Sequence, residues 1–326
     1  MRYKRYFIAL MLILAMVVIA EYTGEREVIF PEVAALVVGT WVLEKQPWKV
    51  SKIGLVSLMT LCSITGVLVV RYVHLGLTLQ VLIGLVFTGL LLKITKTTLA
   101  PIISACILPI LLRTETWIYP ISVFILTMAI VLIQYIMENN SCSKIEDVKE
   151  ELKEEIESLE KDPSLRKKEF IKMVKIFFIV GILTYFSVRF KETLLIAPPL
   201  IVAFVELTNC HCKFRKRAKS LFLLFIIVAL LGTFFRVGLN EYLGVPLWIC
   251  TILVVLSVFV FFEVFNIHFP PVAAIALLPM LLDKNQLPFY PLEIGVGCAL
   301  FILIALLLFK EEKTCNMEYK IEKVIH

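Results

Sequence analysis

Chemistry in this chain falls to a few ionisable side chains set in or beside long apolar runs. Glu32 follows Pro31 at the start of one run, Glu206 sits near the end of another, and Glu263, Asn266 and His268 lead into a third. Lys93 and Lys96 precede a fourth, with Lys93 at the place Glu263 takes later in the chain, so the two could pair. Charge inside a membrane is costly, which makes such residues functional candidates by default. The plainer reading places them at helix ends, with side chains reaching to water. Arg71 and Arg236 occupy like places at the ends of two other runs, where a cation attracts an anion or anchors a helix. Cys210-His211-Cys212 offers three adjacent ligands rather than the two spaced pairs of a tetrahedral site, so no metal site is expected. No phosphate-binding loop, nucleophile elbow or H-E-x-x-H motif is present. The expectation is therefore no catalytic residue, no cofactor and no enzyme.

The elements that must position these residues follow from composition. The chain has 326 residues, of which 60% are hydrophobic and 18% charged, against the ~25% charged usual in soluble domains. Its charges are clustered, which leaves apolar runs of a length that crosses a ~30 Å hydrocarbon core. The reading is an all-α membrane protein of about 12 transmembrane segments, with the lipid bilayer as its first partner. The net charge of +6 reads as membrane-flanking Lys and Arg rather than a nucleic-acid footprint. The eight cysteines are scattered, four of them inside apolar runs, and read as small core residues and not a disulfide framework. Arg2, Lys4 and Arg5 before the apolar run 6–20 resemble a signal peptide, with Val18-Ile19-Ala20 as its cleavage site. A repeat in the sequence requires the segment as a retained helix instead.

That repeat divides the apolar runs into two sets of six: 6–20, 30–43, 53–70, 77–92, 99–112 and 117–136, then 173–188, 194–208, 220–235, 245–262, 269–282 and 289–309. Pro101, Leu108-Pro109 and Leu111-Leu112 recur 170 positions later as Pro271, Leu278-Pro279 and Leu281-Leu282. Tyr119-Pro120 recurs as Tyr290-Pro291, and both third segments carry a Gly and then an Arg, Gly66 and Arg71 against Gly232 and Arg236. The expected domains are a first six-segment unit (1–140), a charged connector helix (141–170), a second unit (171–312) and a tail (313–326). With every segment crossing and the N-terminus cytoplasmic, 26 of the 33 Lys and Arg fall inside. This is the asymmetry that positive-inside sorting produces. Localisation in the cell membrane with both termini cytoplasmic follows, as do parallel repeats about the membrane normal.

Segments 2, 5, 8 and 11 each open with proline and continue into small residues: Phe30-Pro31-Glu32-Val33-Ala34-Ala35, Ala100-Pro101, Ala197-Pro198-Pro199 and Phe269-Pro270-Pro271-Val272-Ala273-Ala274. Proline suits a first helical turn, whose N–H groups have no intrahelical partner. Segments 2 and 5 lie three crossings apart, so each unit is expected to hold a 3+3 inverted repeat with short Pro-led helices. Helices this short begin within the bilayer, and their free N–H groups suit an anion. The expected substrate site lies between the units and is lined by Glu32, Pro101, Pro198, His268 and Pro271. Glu32 would repel an anion unless it carries a proton, which makes it the candidate coupling group.

Ile267-His268-Phe269-Pro270-Pro271-Val272-Ala273-Ala274-Ile275-Ala276-Leu277-Leu278-Pro279 resembles the signature of the HPP family of integral membrane proteins, as does Gln46-Pro47 after segment 2. The resemblance covers about 25–136 and 192–309; Phe269 separates His268 from the two prolines, which adjoin a His in the family. Family members are thought to be transporters, with nitrite transport attributed to plastid relatives, so the resemblance implies a small-anion substrate. The expected function is a multi-pass transporter of a small solute, an anion above all. The alternatives are a passive channel and a membrane-embedded enzyme or assembly subunit. The sequence leaves the oligomeric state open.

Overall fold

The computed structural model describes residues 2–43, 45–139, 163–209 and 212–309. The described residues are helical, with no strand among them. Among the described residues, eight helices are long and apolar enough to cross a membrane. They are α1 (Arg2–Thr23), α3 (Lys52–Tyr72), α4 (Leu77–Thr95), α6 (Ile118–Asn139), α7 (Pro163–Phe190), α9 (Ala218–Phe234), α10 (Leu247–Phe265) and α12 (Tyr290–Leu308). Four short ones lie between them: α2 (Glu32–Val37, continued by π turns at Val38–Val42), α5 (Pro101–Leu112), α8 (Pro198–Leu207) and α11 (Pro270–Leu277, continued by a 3-10 turn at Leu278–Met280). Each run read from the sequence contains one of these helices. In hydrocarbon a helix is the one open segment that satisfies its own backbone, which is why every long apolar run takes this form. The segment resembling a signal peptide forms helix α1, packed along α10. Residues 141–162 of the charged connector, Cys210-His211 and the tail 313–326 lie outside the described residues.

Polar contacts sort the helix ends into two sets. At the Arg2 end of α1, the Tyr6 hydroxyl donates to Glu263 Oε1 near the end of α10 (2.8 Å), and the Arg5 guanidinium donates to the Trp41 carbonyl at the end of α2 (2.9 Å). At the Thr23 end, Glu21 accepts from the Leu247 and Trp248 N–H groups at the start of α10 (2.9 and 3.1 Å). Helices α1 and α10 are therefore antiparallel, joined at both ends by side chains that satisfy exposed backbone groups. Arg215 and Arg217 do the same at helix C-termini. Arg215, buried, donates to the carbonyls of Leu207, Ala305 and Phe309, and Arg217 to those of Phe265 and Asn266. A cation beside the last carbonyls of a helix also meets the negative end of its dipole.

The four short helices form the centre. Helix α2 packs on α11, α11 on α8, α8 on α5 and α5 on α2, closing a ring. The long helices α1 and α10 flank one side of it, and α4 and α7 the other. Nearly all ring residues are buried, and Ala34 of α2 shares a cavity of about 10 Å³ with Ala273 and Ala276 of α11. Small side chains let the helices of this pair approach closely, where association rests on packing rather than on water exclusion.

Candidate functional site

One local unit occurs twice. In α5, Pro109 lacks an N–H, so the Ala105 carbonyl four residues earlier has no helical donor. The Tyr119 hydroxyl of α6 donates to it (3.1 Å). In α11, Pro279 leaves the Ile275 carbonyl in the same position, and the Tyr290 hydroxyl at the start of α12 donates to it (2.6 Å). Glycine makes room for both kinks. A Cβ on Gly66 would stand 2.3 Å from the Cys106 carbonyl oxygen and 2.6 Å from the Pro109 ring. A Cβ on Gly232 would stand 2.5 Å from the Ala276 oxygen and 3.1 Å from the Pro279 ring. The recurring Leu-Pro, Tyr-Pro and Gly residues thus belong to one device that bends a short helix against a long one.

Short helices need approach segments that descend into the bundle. Residues after Thr23 turn through a 3-10 turn (Arg26–Val28) and come back beside α1, where the Phe30 N–H meets the Met16 sulfur (3.2 Å). Met16 lies seven residues before Thr23, so α2 begins ~10 Å in from that end of α1, at 1.5 Å per residue. Residues 193–197 descend likewise beside α12. The Leu194 N–H donates to Glu293 (2.8 Å), and the Leu195 carbonyl passes so close to Gly297 that a Cβ there would stand 2.3 Å from its oxygen. The N-termini of α2 and α8 are therefore set below the level at which their neighbouring long helices end.

At the tip of α2 stands Glu32, 1% exposed. One carboxylate oxygen accepts from the Ser104 hydroxyl in the first turn of α5, and the other has no hydrogen-bond partner. This bond brings the N-terminal turns of α2 and α5 together. A buried carboxylate with one donor is far more costly ionised than neutral, because an isolated charge loses its hydration without replacement. The Tyr119 ring lies edge-on to Phe30, directly before the tip, at 5.9 Å between ring centres.

The other residues expected at the site are distributed around the ring. Pro101, Pro198 and Pro271 are buried and occupy the first turns of α5, α8 and α11, where proline leaves no N–H unmet. His268 belongs elsewhere. It is 11% exposed at its side chain and bonds Glu263 (3.3 Å) at the Arg2 end of the bundle, beside Arg2 and Tyr6. Along α1 that level is about ten residues from Met16, or ~15 Å, so His268 and Glu32 are not brought together. Lys93 lies over the Phe170 ring (5.0 Å to its centre) rather than beside Glu263. Glu206 accepts from the Trp48 indole (3.0 Å), linking α8 to the segment after α2.

Sequence reading missed Ser104, Glu293 and Trp48. Serine in a small-residue stretch carries no signal of its own. Glu293 had one, since a carboxylate four residues into the apolar run 289–309 is as unusual as Glu32. No protein-family model, curated protein or solved structure matches the chain.

Proposed function

We propose that the chain is a multi-pass membrane transporter of a small solute, with a small anion as the favoured class and Glu32 as the group that couples transport to protons. The observation that carries this reading is Glu32 itself, a carboxylate buried at the meeting of two short helices with one oxygen lacking a partner. Buried ionisable groups in membrane proteins mark proton relays and substrate paths. Substrate sites formed by discontinuous helices near the midplane are the recurring plan of secondary transporters. The resemblance to the HPP family favours an anion.

The proposal includes twelve crossings in two parallel six-helix units, with the solute site between them and both termini cytoplasmic. Helix pairing supports it, because contacts between the halves are reciprocal: α1 meets α10 while α4 meets α7, and α2 meets α11 while α5 meets α8. Each contact recurs with both of its helices replaced by their counterparts in the other half, as a two-fold axis requires. The doubled Pro–Tyr–Gly device supports the same axis. The meeting of the α2 and α5 tips supports a 3+3 inverted plan in the first unit.

Proteoliposome flux of small anions tests the function. Uptake driven by an inward proton gradient is expected for the wild type, and Glu32→Gln should lose that drive while keeping counterflow exchange. Unchanged pH dependence in Glu32→Gln would remove Glu32 from the mechanism, and gradient-independent leak of the anion would favour a passive channel. For the topology, single cysteines at Thr23 and Ser141 should label from opposite faces of the membrane; labelling from one face would overturn the twelve-crossing arrangement.

A further inference from the structure

Arg236 is the second buried charge with an unmet polar atom. It is 2% exposed and lies just past the regular part of α9, where the helix widens into π turns at Phe235–Tyr242. Such widenings place side chains where a regular helix cannot and recur at functional sites. Both hydrogen bonds of Arg236 leave from Nη1, to Asn240 Oδ1 and Glu241 Oε1 within the same turns. Nε is buried with no acceptor, and Nη2 makes no hydrogen bond. The guanidinium is therefore tied through Nη1 alone, and its Nε–Nη2 edge has no acceptor. That edge presents two parallel N–H groups in the geometry that takes a planar oxyanion bidentately.

Glu241 is shared between Arg236 and Lys284, so two cations face one carboxylate. The nearby carboxylate of Glu21 is already engaged by the two N–H groups at the start of α10. Arg71, at the like place in the first half, differs. Its Nε donates to the Glu115 carbonyl (2.6 Å) and its guanidinium lies over the Trp117 ring (5.4 Å to its centre). The edge that the first half uses to anchor a helix end is left open in the second. Buried N–H groups without an acceptor are rare and require an occupant or a role.

We propose that the Nε–Nη2 edge of Arg236 binds a small planar oxyanion, of the monocarboxylate or nitrate class, at the Thr23 end of the bundle. The proposal deepens the transport reading and rests on it for the purpose of the site, since the bound ion would be the solute on its way to the ring. Binding is measurable without flux. Isothermal titration of the purified full chain with sodium acetate and sodium nitrate, against sodium chloride at equal ionic strength, tests it. Saturable binding of acetate or nitrate is expected, with chloride much weaker because a spherical ion gains nothing from the fork. Arg236→Lys keeps the charge but not the fork and should weaken binding at least tenfold. Glu241→Gln keeps the fork, removes the competing carboxylate and should tighten binding several-fold, which keeps the test decisive if Arg236→Lys does not fold. Equal responses to all three salts, no saturable binding, or an affinity unchanged in Glu241→Gln would overturn the site. Oxyanion binding without any flux would retain the site and remove the transport reading; flux with no Arg236-dependent binding would do the reverse.

Discussion

The segments that lead into α2 and α8 do the same task with opposite economy of polar groups. Each descends beside a long helix through a 3-10 turn, and each delivers a short helix into the central ring. Ahead of α8 the descent is closed. Glu293 takes the Leu194 N–H, Gly297 admits the Leu195 carbonyl, and Pro198-Pro199 start the helix with no N–H to satisfy. Ahead of α2 it is left open. The Phe30 N–H meets only a thioether, a weak acceptor, and the carboxylate stands on the short helix itself with one oxygen unmet. In the proposed alignment of the two units, Ser122 and Leu126 stand where the second half has Glu293 and Gly297. One approach is thus built for stability and the other retains an unsatisfied group, which is where natural proteins break local rules for function.

The sharpest way to break this comparison is at Gly297. A Cβ there meets a backbone oxygen that cannot move aside without shifting the whole descent, so Gly297→Val should cost ~3 kcal/mol or more through overpacking. Thermal unfolding of the detergent-purified protein should show it as a large fall in Tm; a wild-type Tm would mean that the descent is not closed there. Next come the two carboxylates, taken together. Glu293→Ala leaves the buried Leu194 N–H without its acceptor and should cost ~1–3 kcal/mol. Glu32→Gln keeps an acceptor for Ser104 and removes no other bond, so its stability should stay within ~1 kcal/mol of wild type. Equal losses in the two variants would erase the distinction between a satisfied and an unsatisfied carboxylate. The smallest effect is expected at Met16→Leu, which conserves volume while removing the sulfur facing Phe30, at ~0.5–1 kcal/mol. A loss as large as that of Glu293→Ala would show that the first descent is pinned as firmly as the second.

Much of the scaffold was legible in the chain, because hydrocarbon leaves so few choices. Every run marked out by hydropathy contains a helix, the four Pro-led segments are the four short helices, and the recurring Leu-Pro and Tyr-Pro residues meet in the kink device. The candidate site was legible in part. Glu32 stood out by charge alone, and the prolines by their position in the first turn. His268 shared the same motif-level prominence as Glu32, yet it bonds Glu263 at the other level of the bundle. Its neighbours are fixed by the short turn that ends α10 at Asn266, whose left-handed backbone (φ 49°) reverses the chain at the Arg2 end.

Length, hydropathy and proline act locally along the backbone, so the chain's helical make-up, the places of its helices, which of them are short and which are apolar enough to cross a membrane could all be read from residue order. Which buried charges are satisfied depends instead on how the helices pack. Glu293 and Arg215 find backbone partners, while Glu32 and Arg236 each keep an atom unmet. That outcome depends on how deep each segment descends before its helix begins, and on which donor stands at that depth in a neighbouring helix. Depth is set by packing between elements far apart in the chain, and no local pattern records it.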